Sequence, residues 1–156
     1  MAQHYRNPDQ ALLHRFRDAP GAPLPIEASP FAMALSGHIA KVDAEAGRVE
    51  LRFTPGPMFL QGADVVQGGV VSAMIDFAMA FAGLAMLPAN RVCATTTLNV
   101  AFLRPARPAT YVAVGEIERM GRQVGFARGH LAEAGRPPVA TGAASLAVIE
   151  LGADRR

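Results

Sequence analysis

The longest apolar stretch of this chain runs from Val70 to Leu87 and contains no lysine or arginine. It predicts a helix that is apolar on all sides, and such a helix is normally buried in a protein core. Asp76 stands near its centre, and a carboxylate at the middle of a bilayer costs about 2.5–3.5 kcal/mol on insertion scales. We therefore expect a core helix here and no membrane span. The Pro-Ala-Asn sequence that follows ends the helix.

Strands are predicted on both sides of this helix by alternating apolar and polar residues. Before the helix, residues 35–42 and 49–54 form a predicted hairpin. After the helix, the predicted strands are 94–102, 110–118, 123–133 and 138–150. In the first of these four, strict alternation predicts that one face carries Ala94, Thr96, Leu98, Val100 and Phe102. The opposite face carries Thr95, Thr97 and Asn99.

The N-terminal segment predicts a short helix, because Asn7 can cap it and Pro8 suits its first position. The element order is then helix, two strands, one long helix and four strands. This order predicts an α+β fold in which one antiparallel sheet wraps around a long central helix. We divide the chain into an N-terminal helix and loop (1–30), a main domain (31–150) and a C-terminal tail (151–156).

Composition narrows the class of protein. The 156 residues suffice for one domain, and 51% apolar with 18% charged residues excludes general disorder. So few charges suggest that one surface is buried against a second subunit. The net charge of +2 comes without a block of Lys or Arg, which does not favour nucleic-acid binding. The single cysteine, Cys93, and a polar N-terminus without a signal-peptide pattern lead us to expect a cytoplasmic protein.

Asp76 is the most informative single residue, because a carboxylate in an apolar helix needs hydrogen bonds, a raised pKa or a cleft. The side chains stacked with it at helical spacing are small. They are Gly69, Ser72, Ala73, Ala80 and Gly83. This pattern predicts a shallow groove in which a ligand or another chain can approach the carboxylate. The alternative is a structural Asp that bonds to a neighbouring loop.

The sequence Gln67-Gly68-Gly69 opens the long helix, and the first N–H groups of a helix can bind an anion or a developing oxyanion. A tight turn that merely requires glycine is the alternative. Gln61, in the preceding loop, can orient a water or a carbonyl, or be an ordinary loop residue. Arg104 and Arg122 lie on turns between strands, where they suit a phosphate-bearing ligand or simply aid solubility.

Other chemistries find little support in the sequence. Cys93 has a weak claim as a nucleophile, because no helix N-terminus or neighbouring His lowers its pKa. The four histidines show no metal-ligand spacing, and no phosphate-binding loop is present. We expect neither a metal nor a separate cofactor.

Residues 61–80, from Gln61 to Ala80, resemble the hot-dog-fold acyl-CoA thioesterases of the PaaI-like family, which is linked to phenylacetic acid degradation. Its hallmark is His-Gly-Gly followed by a carboxylate near the middle of the central helix. The run from Thr95 to Ala106 resembles the family's third-strand signature, and Gly121-Arg122 also matches. The resemblance covers about residues 31–150.

The resemblance implies a role for each matching position. Asp76 takes the place of the catalytic carboxylate, as general base or nucleophile, and Gly68 that of the glycine whose N–H polarises the thioester carbonyl. Gln61 matches an Asn or Gln that faces the reaction centre from the other subunit. Gln67 replaces the family's His but can still donate a hydrogen bond beside the carbonyl. Ala80 replaces a hydroxyl residue that helps to hold water in some relatives.

The resemblance therefore implies hydrolysis of an acyl-CoA, with an aromatic or medium-chain acyl group, to a free acid and CoA. Coenzyme A is part of the substrate, and no other cofactor is implied. The active sites lie at the interface of a homodimer, and two dimers can form a tetramer. The alternative is a non-catalytic acyl-CoA-binding protein on the same fold. A hot-dog hydratase is a weaker alternative, because no His lies near the motif.

Overall fold

The computed structural model describes residues 5–152. The α-helices are α1 (Pro8–Asp18), α2 (Pro30–Ala34) and α3 (Gly68–Met86). The strands before α3 are β1 (Leu24–Pro25), β2 (His38–Asp43), β3 (Arg48–Phe53), β4 (Leu60–Gln61) and β5 (Val65–Val66). The strands after α3 are β6 (Arg91–Phe102), β7 (Tyr111–Met120), β8 (Val124–Glu133) and β9 (Ala140–Glu150). A 3-10 turn spans Pro57–Phe59.

Seven strands form one antiparallel sheet in the order β1-β2-β3-β7-β8-β9-β6, and β4 pairs with β5 in a separate small hairpin. The sheet packs around α3, whose Ile75 and Met79 are fully buried together with Leu51 and Leu146 from the strands. A Cβ at Gly115 of β7 would collide with the backbone of α3, so glycine is what allows strand and helix to meet there. The predicted hot-dog arrangement of one sheet around one long helix is confirmed.

Side-chain hydrogen bonds hold the start of α1 and the end of α3. The Asn7 side chain accepts from the Gln10 N–H at 2.9 Å, as its predicted capping role requires. Gln10 itself is fully buried, and its side chain reaches across to the C-terminal end of α3. Its Nε2 donates at 3.0–3.3 Å toward the carbonyl oxygens of Leu84, Leu87, Pro88 and Arg91. Gln10 thus joins α1 to the end of α3 and to the segment that follows it.

Five short elements were missed, among them β4, β5 and the 3-10 turn Pro57–Phe59, and one strand alternates differently from the prediction. Leu24–Pro25 is a strand within the predicted loop, and α2 follows Ser29, whose side chain caps it. In β6 a bulge falls between Thr95 and Thr97. Strict alternation through this strand was therefore wrong, because the extra residue of a bulge reverses the phase of the side chains.

The same bulge decides which side chains of β6 meet α3. On the N-terminal side of the bulge, Cys93 and Thr95 contact α3. On its C-terminal side, Val100 and Phe102 face the helix. β6 also forms one edge of the sheet, where Leu98 and Phe102 remain 39% and 57% exposed.

The helix α3 is long and apolar enough to cross a membrane by length and composition, yet 61% of its most apolar 18-residue window is buried inside the protein. It begins two residues earlier than the predicted helix, at Gly68, and ends one residue earlier, at Met86. Most of the predicted C-terminal tail, residues 151–156, lies outside the described residues.

Candidate active site

Asp76 lies half-buried in the middle of α3, and the Thr95 hydroxyl of β6 donates to its Oδ1 at 2.7 Å. Within residues 5–152, Oδ1 is the only oxygen of this carboxylate that receives a hydrogen bond. The Asp76 carboxylate is therefore held from one side, and Oδ2 is free to meet a ligand. This arrangement satisfies part of the hydrogen-bonding need that a carboxylate in an apolar helix creates.

The strip of α3 on the N-terminal side of Asp76 is open, as the small side chains predict, but Gly83 is buried against Cys93 and Leu146, so the predicted groove does not extend to it. Gly69 is exposed, and Ser72 and Ala80 are half-buried. A Cβ added at Gly69 would meet no atom within 4 Å. The Ser72 hydroxyl hydrogen-bonds within its own helix, since its Oγ donates to the Gly68 carbonyl at 2.9 Å. The groove is thus formed by small residues, and these side chains leave the carboxylate accessible.

Cys93 borders the carboxylate but is not poised for nucleophilic attack. Burial, and secondarily the negative charge of Asp76, raise the pKa of its thiol to about 12. Its Sγ donates to the Ala80 carbonyl at 3.5 Å. A neutral thiol is a poor nucleophile, so Asp76 is the reactive candidate of this pair.

The start of α3 is capped by Gln67 in two ways. Its backbone carbonyl accepts from Val70 at 2.9 Å and from Val71 at 3.1 Å. Its side-chain Oε1 accepts from the Gly68 N–H at 3.0 Å. In this structure the Gln67 side chain therefore presents an acceptor to Gly68, whereas the expectation from the sequence was a donor beside the substrate carbonyl.

A cavity of about 640 Å³ lies beside this helix start. It brings together three of the predicted residues, Gln61, Gly68 and Arg104, and adds Arg107. The rest of its wall is mostly apolar, from Ala63, Val65, Val66, Val71, Phe102, Leu103, Pro105 and Ala106. The Gln61 Oε1 accepts from the Ala63 N–H at 3.3 Å, which holds this side chain within its own loop. The cavity thus combines a helix N-terminus, an amide and two cations.

The other six predicted site residues do not line this cavity. They are Asp76, Gln67, Gly69, Ser72, Ala80 and Arg122. Asp76 follows Gly68 by eight residues, and at about 1.5 Å per residue the two are about 12 Å apart along α3. Arg122 lines a second cavity of about 620 Å³ together with Arg91 and Glu150. One chain therefore does not bring Asp76, Gly68 and Arg122 to a single point.

Two residues at these sites were missed from the sequence. Thr95 lies on the face away from Ala94, as predicted, but the sequence did not show that this face meets α3 before the bulge. The one signal in the sequence was that the carboxylate of Asp76, in an apolar helix, needs a hydrogen-bond donor from a neighbouring element. Arg107 is close to Arg104 in the same turn and shares its cavity. Within residues 5–152, no three His, Cys, Asp or Glu side chains group as a metal site.

The sequence and the fold are similar to those of known thioesterases. The model of the family described as "Thioesterase superfamily" matches residues 63–137. A phenylacetic acid degradation-related protein from Ralstonia eutropha JMP134 is 34% identical, with a TM-score of 0.75 over 86% of this chain and 98% of the other. No curated protein matches the sequence.

Two further solved structures share the fold. The PaaI protein of the Escherichia coli phenylacetic acid degradation operon is 19% identical, with a TM-score of 0.71 over 92% of this chain and 95% of the other. A Bacillus halodurans protein solved with CoA is 26% identical, with a TM-score of 0.61 over 64% of this chain and 70% of the other.

Proposed function

Because the chain belongs to the thioesterase superfamily and is therefore a thioester hydrolase, we propose that it hydrolyses acyl-CoA esters with Asp76 as the catalytic carboxylate. The observation that carries the proposal is the Asp76 carboxylate in an open groove of α3, fixed through Oδ1 by Thr95. The CoA in the Bacillus halodurans relative supports CoA as the thiol part of the substrate. The resemblance to PaaI-like thioesterases predicted from the sequence is confirmed.

The reaction consumes one water and cleaves the bond between the acyl carbon and sulfur. As general base, Asp76 takes a proton from water while the water oxygen attacks the acyl carbon. As nucleophile, its carboxylate attacks that carbon and forms an anhydride, which water then hydrolyses. In both routes the thiolate of CoA leaves and is protonated, and the Gly68 N–H stabilises the negative charge on the carbonyl oxygen. In a single turnover in ¹⁸O water, label in Asp76 identifies the nucleophile route with water attacking the Asp76 carbon of the anhydride, because the general-base route and attack on the acyl carbon both place the label in the free acid.

The separation of Asp76 from Gly68 supports a site shared between two subunits. Groups about 12 Å apart cannot both contact one thioester. Along β6, Thr95 holds Asp76, whereas Phe102 near the other end lies against Gly68. Antiparallel pairing of the edge strand β6 with its copy would place the start of one strand beside the end of the other. Asp76 then faces Gly68 of the partner subunit, which gives two sites per homodimer.

The acyl group is proposed to be apolar, with aromatic groups favoured. Phe77 directly follows Asp76 and packs near Phe31, with ring centroids 6.2 Å apart. Phe59 contacts Phe31 at 6.2 Å, and Phe53 and Phe81 each lie 6.0 Å from Phe77. Phe31 is 45% exposed, so this cluster is open at its outer side. Aromatic rings favour one another in tilted and edge-on contacts of this kind.

The test is thiol release from a panel of acetyl-, hexanoyl-, benzoyl- and phenylacetyl-CoA, with Asp76→Asn beside the native protein. Loss of a general base costs about 10²–10⁴ in rate, so we expect the variant to lose at least about 100-fold. Asp43→Asn is the matched control, because Asp43 caps a distant turn through a side-chain oxygen that Asn retains. Native-like turnover by Asp76→Asn would exclude Asp76 as the catalytic group.

A non-catalytic acyl-CoA-binding protein is the second candidate. One observation favours it: the Gly68 N–H, the proposed oxyanion donor, is occupied by the Gln67 side chain. Binding of acyl-CoA by calorimetry without any thiol release over hours would support this candidate. Release from any member of the panel that depends on Asp76 would exclude it.

A further inference from the structure

The side-chain carbonyl of Gln67 occupies the hydrogen-bond donor that hydrolysis needs. Its Oε1 lies 3.0 Å from the Gly68 nitrogen and accepts that N–H. We propose that Gln67 is a competitive self-cap, whose amide carbonyl holds the Gly68 N–H until the carbonyl of the thioester displaces it. The inference rests on the proposed function, because it assigns a competitor for the same donor.

This contact differs from an ordinary helix cap. Side chains that cap a helix are usually short, and they accept from the second or third N–H of the helix. Gln67 is longer and accepts from the first one, that of Gly68. Its backbone carbonyl already accepts from Val70 and Val71. The helix therefore has an ordinary start without the side-chain bond, and the contact is free to open and close.

The surroundings of Gly68 make the two carbonyls competitors. The Phe102 ring would lie 3.3 Å from a Cβ at Gly68, and both residues line the 640 Å³ cavity that also holds Gln61 and Arg104. A thioester carbonyl and an amide carbonyl are both planar acceptors, and one N–H cannot serve both well. Substrate therefore has to move Gln67 aside.

The strength of the self-cap is modest, because Gln67 is exposed to water. A neutral hydrogen bond of this kind changes an equilibrium by about two- to tenfold. Gln67 therefore weakens the binding of substrate without abolishing it. In this position it is a positioning residue that acts through Gly68, and its effect should fall on KM more than on kcat.

Two substitutions of opposite expected effect test the proposal. Gln67→Met keeps the length of the side chain but lacks the amide oxygen, so KM for the best acyl-CoA should fall about two- to tenfold with kcat little changed. Gln67→Glu offers a charged acceptor that holds the N–H more strongly. Its kcat/KM should therefore fall at least about tenfold.

The pattern of the two variants distinguishes the alternatives. If Gln67 donates from Nε2 to the substrate, both variants lose the donor and kcat/KM falls in both, by about 10²–10³ for Met. If Gln67 only supports the turn, both variants match the native protein in KM and kcat. Either pattern overturns the self-cap.

A measurement on the ligand-free protein separates this inference from the proposed function. We expect the Gly68 amide hydrogen to exchange with solvent about two- to tenfold faster in Gln67→Met than in the native protein, as followed by NMR. Equal exchange rates would overturn the self-cap even if the protein hydrolyses acyl-CoA. Absence of thiol release from every ester would instead remove the proposed function and leave the exchange result standing.

Discussion

The Thr95 hydroxyl donates to Asp76 Oδ1 across 2.7 Å and thereby ties the edge strand β6 to the middle of α3. The strand bulge that follows Thr95 makes this contact compatible with Val100 and Phe102 also facing the helix. A hydroxyl donor fixes the rotamer of the carboxylate and leaves Oδ2 for water or substrate. Thr95 is therefore a positioning residue for the proposed catalytic group.

Replacing this hydroxyl should slow hydrolysis. In Thr95→Val the shape is kept but the hydrogen bond is lost. A hydrogen bond to a charged group is worth about 1.5–3 kcal/mol. Because its loss leaves the carboxylate free to turn away from the reactive orientation, we expect kcat to fall at least about tenfold. Steady-state kinetics on the best acyl-CoA measure this effect, and KM should change little.

Thr95→Ser supplies the control, because it keeps the hydroxyl and should restore most of the activity. Equal losses in the Val and Ser variants would show that the methyl group, rather than the hydrogen bond, is what matters. Circular dichroism at the same protein concentration checks that both variants are folded.

Arg104 should recognise the phosphate groups of CoA rather than the acyl group. It lines the cavity at Gly68, and the turn that carries it is held by the hydroxyl of the buried Tyr111, which donates to the Arg107 carbonyl. Arginine suits phosphate oxygens, because its planar guanidinium offers paired donors. In Arg104→Ala we expect KM for acyl-CoA to rise about tenfold, in line with the loss of one charged hydrogen bond.

The comparison substrate for this prediction is the corresponding acyl-pantetheine, which lacks the nucleotide and its phosphates. Its KM should not change in Arg104→Ala. Arg136→Ala is the matched control, because Arg136 is exposed on the turn between β8 and β9 and pairs with Glu133. An equal rise of KM for both esters would show that Arg104 contacts the acyl or pantetheine part.

Much of the fold could be predicted because hydrophobic pattern dominates it. The apolar run from Val70 predicts a core helix, and the alternation of 138–150 predicts a strand that is half-buried. What could not be predicted depends on contacts distant in sequence. The two-residue strand Leu24–Pro25 forms only because β2 lies beside it. The bulge in β6 likewise depends on pairing with β9, which no local pattern reveals.

The candidate site, like the fold, has features that the sequence predicts and features that depend on distant contacts. Asp76 and Gly68 were identified because a lone carboxylate in an apolar helix and a glycine pair at its start are visible in the sequence itself. The direction in which the Gln67 side chain turns was not predictable, because Gln can either donate or accept. The separation of Arg104 from Arg122 depends on the path of the sheet, which places them in different cavities.

The edge strand β6 should form the dimer interface. Among residues 5–152, β9 is the only strand that pairs with it, and Leu98 in its middle remains 39% exposed. Leu98→Lys should shift the protein toward monomer in light scattering at micromolar concentration and reduce hydrolysis, because each proposed site needs both subunits. Val124→Lys is the control, since Val124 is similarly exposed, but β8 has partners on both sides. Full activity of a monomeric Leu98→Lys variant would contradict the shared site.

The half-buried Cys93 thiol should make stability fall at alkaline pH. Burial, with the charge of Asp76, raises its pKa from the ordinary 9.0 to about 12. The unfolded chain therefore releases this proton at lower pH than the folded protein. The resulting stabilisation is complete below about pH 9 and is lost as pH rises toward 12.

Relative to Cys93→Ala, the free energy of unfolding of the native protein should decline over this interval by up to about 1.4 kcal/mol per pH unit. Urea denaturation at pH 8, 9.5 and 10.5, at one protein concentration, measures the difference. Parallel curves for the two proteins would show that the thiol ionises equally in both states.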